Sequence, residues 1–393
     1  MSISSRTFTI SPEIQNELAH VRFAIPTPNP PWSPEAIMIL DSPQLSVINA
    51  SVFDWWYFDS VSAQDPRETV TVTFFKSTAS AFPWLPVEES SVLIAYLWIS
   101  FANGTIVEEY VPATAAIIDQ AMHGDLSSSG NWSSTGFSWF SSGQNLSQYE
   151  IVVSSGKLQI DGRLTLTSKL PPHLPCGISP NTSTLEVAPH IGWAALIPDA
   201  IGSVDMTVKG SRLQFQGSAY HDKNWSDGPF VDSVASWYWG HGQVGPYSVV
   251  WFSYLASNDT NGKEYVSSYV ARNGTVLVSS CHADALRVVP TGSSGTSARY
   301  PPRAGDVPDG FLLQFDLGAE GWLMANVSGT RIAGDNRYYF RWAGSMTGQI
   351  YESGPGDAGA EWCSQVASDE NVVPGSQSVM SGRAIFEQFV LVE

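Results

Sequence analysis

Phe53-Asp54-Trp55-Trp56-Tyr57-Phe58-Asp59 is an aromatic run interrupted once and then closed by carboxylates. Read as a strand, its period of two sends Phe53, Trp55, Tyr57 and Asp59 to one face and Asp54, Trp56 and Phe58 to the other. Both faces are then largely apolar. A strand with one face in water does not have that composition, so the segment is expected to lie between a core and a second apolar surface such as a ligand cavity. Asp54 is the exception on its face, because an ionised carboxylate among aromatics is costly unless it finds donors or holds the polar end of a ligand. Two readings stay open: a carboxylate hydrogen-bonded at the sheet edge, and one facing a pocket.

Outward from this run the pattern is overwhelmingly β. Short alternating stretches at 69–75, 92–101, 157–166, 204–208, 212–220, 248–255, 265–272, 311–315, 338–342 and 384–392 read as strands separated by turn chemistry. Asn103-Gly104, Asn261-Gly262 and Asn273-Gly274 are hairpin signals, since both central positions of a type I′ turn need positive φ. A helix is indicated only as a short segment with Ser11 as cap and Pro12 at its first position. Pro171, Pro172, Pro175, Pro180 and Pro189 break the middle of the chain, and Ser/Gly-rich stretches at 124–145 and 291–306 read as long loops. The expected organisation is all-β, with two successive strand sets, 1–230 and 231–393, each long enough to curl into a barrel. A ligand site then lies in a barrel mouth or at the seam between the domains.

The chain has 393 residues, of which only 14% are charged and 12% aromatic, with 15 Trp. Its binding capacity must therefore be apolar or hydrogen-bonding. A formal net charge of −18 argues against nucleic acid or an anionic membrane surface as partner. Cys176, Cys281 and Cys363 lie far apart and match no zinc spacing, so neither a disulfide framework nor a metal site is implied. No apolar run approaches a membrane span, and the amino terminus lacks the apolar core of a signal segment, which reads as cytoplasmic. Against that stand nine Asn-x-Ser/Thr sequons, beginning at Asn49, Asn103, Asn131, Asn145, Asn181, Asn224, Asn258, Asn273 and Asn326. They fit a secreted or vesicular precursor, or simply a Ser/Thr-rich chain with Asn in its turns, and localisation stays open.

A second polar cluster, His221-Asp222-Lys223-Asn224-Trp225, follows the strand that ends at Ala219-Tyr220. Polar groups at a strand end beside a large indole are the mixture that lines ligand sites, although His221 and Asp222 equally suit a loop tied to its sheet. Trp237, Tyr238, Trp239, His241 and Trp251 extend the aromatic surface. His221 and His241 have no third partner at a metal-binding spacing. The chain has no Gly-x-Ser-x-Gly elbow and no phosphate loop, and Asp54 and Asp59, five residues apart, fall on opposite strand faces, which argues against a glycosidase pair.

At 53–59 and 221–225 the chain resembles the fungal Diels-Alderases that form decalin rings, within the broader group related to hydroxyneurosporene synthase. That family shows an acidic residue, an apolar residue and Trp-Tyr-Phe-Asp, then a His-Asp-x-Asn-Trp element. Here these are Asp54, Trp55, Trp56-Tyr57-Phe58-Asp59 and His221-Asp222-Lys223-Asn224-Trp225. The ending Gly382-Arg383-Ala384-Ile385-Phe386-Glu387-Gln388 is similar to the family's Gly-Arg-x-x-Phe-Glu-Gln. The resemblance implies two lipocalin-like antiparallel β-barrel or sandwich domains with a ligand pocket between them, and no cofactor. It further implies a linear polyene tethered to a tetramic acid or similar head, closed to a decalin by intramolecular [4+2] addition, and a functional partnership with a polyketide-peptide synthase. The family's pocket acid maps to Asp54 and its pocket indole to Trp225; Trp342, Gly242 and Leu391 are further expected lining residues.

Such chemistry needs no nucleophile, base or metal, only diene and dienophile held in one folded geometry, which rigid aromatic walls can impose. On this reading Asp54 and the His221, Lys223 and Asn224 group anchor the polar head, while Trp56, Trp225, Trp239 and Trp342 shape the chain. Competing expectations are a hydratase that adds water to a terpenoid double bond with Asp54 as proton donor, and a lipocalin-like carrier that leaves its guest unchanged.

Overall fold

A computed structural model describes residues 5–27, 32–86, 91–121, 126–258, 262–293, 297–334, 337–352 and 378–393. The alternating runs pair as antiparallel strands in two compact units, one of Met1–Val234 with Ala256–Lys263, the other of Ala235–Leu255 with Glu264–Glu393. The fold class is all-β, built from curled antiparallel sheets.

In the first unit a 13-stranded sheet runs in the order Arg6–Ile10, Ala116–Ala121, Ser127–Trp132, Phe137–Ser142, Gln148–Ser155, Ile160–Ser168, Ile191–Val208, Ser211–Ser226, Phe53–Ser62, Thr69–Ser77, Leu93–Ser100, Ile106–Pro112; Glu186–Ala188 pairs off this path with Ile191–Val208. The Phe53–Ser62 strand is buried at all ten positions and hydrogen-bonded on both sides. Asp54 is therefore not at a sheet edge. Trp56 meets Trp139 with ring centroids 5.3 Å apart, and Phe58 meets Tyr149 at 5.7 Å. In a flat sheet, five strand steps would separate the Phe53–Ser62 and Phe137–Ser142 strands by about 24 Å. The sheet is thus rolled so that one face closes on itself around a single aromatic and aliphatic core.

The second unit is a nine-stranded sheet in the order Thr275–Ser280, Glu264–Arg272, Tyr247–Ala256, Val234–Val244, Met380–Val390, Tyr339–Tyr351, Trp322–Gly334, Gly310–Asp316, Leu286–Thr291. Tyr238, Trp251, Phe311, Trp342 and Phe386 belong to its core.

Several local expectations are corrected. The Ser-Pro helix signature operates at Ser33-Pro34, not at Ser11-Pro12: Ser33 Oγ accepts the Ala36 N–H and the helix runs Pro34–Asp41. Ser11 only caps a turn, accepting the Glu13 N–H. The Ser/Gly-rich stretch read as a loop contains the strands Ser127–Trp132 and Phe137–Ser142, whose Trp132, Phe137 and Trp139 are buried. Small residues in that hairpin make room for a neighbour's indole, as at Gly130, where a Cβ would fall 1.9 Å from the Trp139 ring. The stretch read as one strand at 157–166 is the end of a hairpin between Gln148–Ser155 and Ile160–Ser168. The strands read at 204–208 and 212–220 are the halves nearest the turn of two much longer ones, so His221–Trp225 lies within a strand and not after it.

Asn273-Gly274 has positive φ at both positions (49° and 83°), whereas at Asn103-Gly104 only Gly104 does, at 85°. Asn261 lies outside the described residues. Cys176 and Cys281 are each disulfide-bonded, although their spacing implied no framework. Cys363 lies outside the described residues.

Candidate functional site

Antiparallel register decides which side chains share the interior. Asp54 stands opposite Trp225 on one neighbouring strand and Lys76 on the other, Trp56 opposite Lys223 and Phe74, and Phe58 opposite His221 and Val72. Directly opposed residues share a face, so the rolled interior receives a ladder of two lysines, one aspartate and one histidine among Trp56, Phe58, Phe74 and Trp225. The helix adds a second carboxylate. Its last carbonyls are capped by side chains: Gln44 Nε2 donates to Ile39 and Leu40, Gln120 Nε2 and Ser42 Oγ donate to Met38, and Trp56 Nε1 donates to Asp41 at 3.1 Å. With its end held in this way the helix fixes Asp41 inside the barrel, fully buried.

Two subsites result. In the first, Asp54 Oδ1 lies 2.9 Å from Lys223 Nζ, while Oδ2 accepts from Lys76 Nζ at 3.3 Å and from the Gln44 N–H at 2.9 Å. The Lys223 contact is an ion pair, and Lys223 Nζ also donates to the Ser42 carbonyl at 2.8 Å. Its ammonium also sits 3.4 Å from the Trp56 ring centroid, a cation–π contact. Burial would raise the Asp54 pKa, but Lys223, Lys76 and the Gln44 N–H outweigh it, and the carboxyl lies below its ordinary value. Burial lowers both lysines against the pull of Asp54, and Lys223 comes down to about 8.

In the second subsite His221 stacks on Phe58 at 4.0 Å, and its Nδ1 lies 2.9 Å from the Tyr57 carbonyl. A carbonyl only accepts, so Nδ1 carries the hydrogen and Nε2 of a neutral ring is an acceptor. Nε2 faces Asp41 Oδ1 at 3.5 Å, and neither Asp41 oxygen has a hydrogen-bond partner. His221 Nε2 and the facing Asp41 oxygen are thus buried polar atoms set against each other, a pairing that calls for a donor between them. Tyr149 is the third member, its ring 4.8 Å from His221 and its hydroxyl equally unpaired; burial first and Asp41 second push its pKa well up, so the phenol keeps its hydrogen. The subsite gathers a carboxyl, an imidazole and a phenol in an aromatic interior.

An open groove of about 700 Å³ adjoins the first subsite, lined by Phe8, Val21, Arg22, Phe23, Pro43 and Gln44 among others. Gln44 is shared: its side chain lines the groove and accepts from Arg22 Nη1 at 3.1 Å, while its N–H holds Asp54. Trp225 Nε1 donates to the Arg22 carbonyl at 2.7 Å from below. Trp225 lies against Gly192, where a Cβ would fall 2.1 Å from the indole. Gly192→Ala is therefore expected to cost about 1–3 kcal/mol by overpacking, read as a lowered midpoint in thermal unfolding.

Of the expected site residues, Asp54, Lys223, His221, Trp56 and Trp225 come together. Asn224 goes to the opposite face of the same strand, where Nδ2 donates to Asp222 Oδ1 at 3.3 Å and Asp222 also takes the Trp193 and Tyr220 hydrogens. Trp239, Gly242, Trp342 and Leu391 belong to the second unit. There Trp342 stacks on Phe386, a Cβ on Gly242 would lie 3.1 Å from Met346 Sδ, Trp239 adjoins His241, and the Leu391 N–H bonds the Ala235 carbonyl. Lys76, Asp41 and Tyr149 were not among the sequence candidates. Lys76 had a readable signal, a lone cation closing the apolar strand Thr69–Ser77; Asp41 and Tyr149 had none, because Asp41 enters from the end of the helix and Tyr149 through the closure of the sheet.

The model of a family described as Diels-Alderase-like matches residues 21–288, which is more than half of the chain. The chain belongs to the Diels-Alderase-like family. Within reach of this family, the chain is 33% identical over 73% of its length to the quinolone epoxide rearrangement protein asqO of Emericella nidulans, covering 76% of that protein. It is also 33% identical over 83% of its length to the quinolone epoxide rearrangement protein penF of Penicillium thymicola, covering 88% of it. The crystal structure of CghA with Sch210972 superposes with a TM-score of 0.70 at 16% identity, covering 99% of each chain, which shows a shared fold. The family resemblance read from the motifs at 53–59 and 221–225 is thereby shown.

Proposed function

We propose that this protein is an isomerase that opens and rearranges an epoxide on a quinolone-like aromatic metabolite, by general-acid assistance and without a cofactor. The observation that carries the reading is the approach of Asp41 Oδ1 to His221 Nε2 at 3.5 Å, two buried polar atoms without a hydrogen-bond partner in an aromatic-walled interior. Opening an epoxide moves an electron pair onto its oxygen, and a donor at that oxygen lowers the barrier; general-acid help is worth roughly 10²–10⁴-fold. The Asp41–His221 pair or the Tyr149 hydroxyl supplies the hydrogen, and the lysines beside Asp54 add positive potential for the developing oxyanion. The packed indoles of Trp56, Trp132 and Trp139 shield the electron-poor carbon from water while a neighbouring group migrates. Oxygen and hydrogen count are conserved, so the product is an isomer. The two relatives named for quinolone epoxide rearrangement, similar over most of their length, support this substrate class.

The decalin-forming [4+2] reading, with a hydrophobic polyene as small-molecule partner, is the second. Its support is the wall of Trp56, Trp132, Trp139, Phe58 and Phe74, a mould that needs no proton. One experiment separates the two. The protein is incubated with a quinolone epoxide and, separately, with a polyenoyl tetramic acid, in H₂¹⁸O, and products are resolved by mass and retention time. The proposal expects an isomer of the epoxide without ¹⁸O. A diol carrying ¹⁸O, or catalysis of the polyene alone, refutes it.

A pH test follows from Lys223. Its ammonium is present below about pH 8 and is lost above it. If that charge supports the oxyanion, kcat/KM declines as pH rises through about 8. Stability has the opposite sign there: the folded pKa lies below the unfolded 10.5, so the unfolded chain binds more protons between the two values and the Lys223 contribution to stability rises with pH in that window. A pH-rate profile recorded beside thermal unfolding at the same pH values checks both limbs.

A further inference from the structure

The chain contains 14 asparagines, and nine of them open an Asn-x-Ser/Thr sequon. A Ser plus Thr content of about one residue in five would place only about three there by chance. The fold sorts the nine. Among the sequons whose three residues are all described, Asn103, Asn131, Asn181 and Asn273 are exposed; Asn145 and Asn326 are half-buried, and the sequon of Asn258 runs outside the described residues. Three of the exposed four stand in turns or bends, with Asn181 and Asn273 at positive φ and Asn103 Oδ1 accepting the Thr105 N–H at 2.9 Å, which leaves the amide nitrogen to solvent. Asn131 lies in the Ser127–Trp132 strand, where the side chain faces outward. Asn224, by contrast, is only 5% exposed and bonded to Asp222, and Asn49 is tied through Nδ2 to the Glu17 carbonyl.

An independent observation points the same way. Cys176 and Cys281 are each disulfide-bonded, and disulfides form and persist in oxidising compartments. We infer that this protein matures in an oxidising, glycosylating compartment and carries N-linked oligosaccharide at Asn103, Asn131, Asn181 and Asn273. In that transfer the Asn Nδ2 bonds to the anomeric carbon of a lipid-diphosphate oligosaccharide, the carbon–oxygen bond to the diphosphate breaks with its electron pair leaving on the lipid diphosphate, and the amide gives up one proton. A disulfide forms as two thiols pass two electrons and two protons to the compartment's thiol–disulfide oxidant. All four acceptors project into solvent, so a bulky hydrophilic glycan disturbs no packing. A glycan at Asn224 would have to fit among buried residues, so that sequon stays bare in the folded protein.

The test uses the protein isolated from the organism that makes it. Peptide N-glycosidase in H₂¹⁸O followed by peptide mass spectrometry is expected to show ¹⁸O-labelled aspartate at the four positions and unmodified asparagine at 224. Alkylation is expected to reach Cys176 and Cys281 only after reduction. Unmodified asparagine at all four positions, occupancy at Asn224, or both cysteines alkylated without reduction overturns the inference.

Discussion

Asp54→Ala is expected to destabilise the protein by about 3–5 kcal/mol, the range found when one partner of a buried ion pair is removed. The carboxylate answers two ammonium groups at once, Lys223 at 2.9 Å and Lys76 at 3.3 Å, in an interior with no solvent for either. Without it the lysines are left facing each other's charge, and the cheapest relief is to release protons. The loss should therefore be largest near neutral pH and shrink as pH rises through the lowered pKa values of the lysines. Urea unfolding at pH 6 and at pH 9 reads both effects. An unchanged midpoint at pH 6 would mean that the triad is solvated and that the interior is wetter than its burial indicates. Pairing Asp54→Ala with Lys223→Met and Lys76→Met should recover much of the loss, because an apolar replacement of a whole buried ion cluster is often neutral.

Asp41→Asn is expected to lower turnover of the epoxide by roughly 10²–10⁴-fold while leaving the fold intact. An amide cannot supply the proton that the proposed reaction asks of the carboxyl facing His221 Nε2. Both Asp41 oxygens lack hydrogen-bond partners, so little stabilising contact is lost with the charge. Steady-state kinetics beside thermal unfolding makes the contrast visible: kcat falls while the unfolding midpoint holds or rises. Full activity in this variant would move the acid elsewhere, with Tyr149→Phe as the next variant. A carrier that leaves its guest unchanged would show no turnover in either protein.

The aromatic run and its one anomaly were legible because alternation is a local property. Period two in 53–59 places Asp54 with Trp56 and Phe58, and period two in 221–225 places His221, Lys223 and Trp225 together; both hold in the structure. The same periodicity separates Asn224 from them, a consequence that grouping by proximity in sequence overlooked. The hairpin at 127–142 was missed because its small residues serve the packing of Trp139, and a turn-rich composition carries no mark of that service. Lengths failed similarly, since the Ile191–Val208 and Ser211–Ser226 strands run on through segments whose polar residues look like a strand end until their partners are known.

Sequence by itself therefore determined that this chain is a β protein, that Asp54 lies within an apolar strand, and that it shares a face with Trp56 and Phe58, because strand geometry is set by each residue's immediate neighbours. Only the tertiary structure decided what the buried charges meet. Lys76 reaches Asp54 through strand register, Asp41 arrives from the capped end of the helix, and Tyr149 reaches His221 from a strand three steps away in the sheet. Those encounters depend on how far the sheet rolls before its faces touch, a sum of small twists over many strands that no single segment encodes.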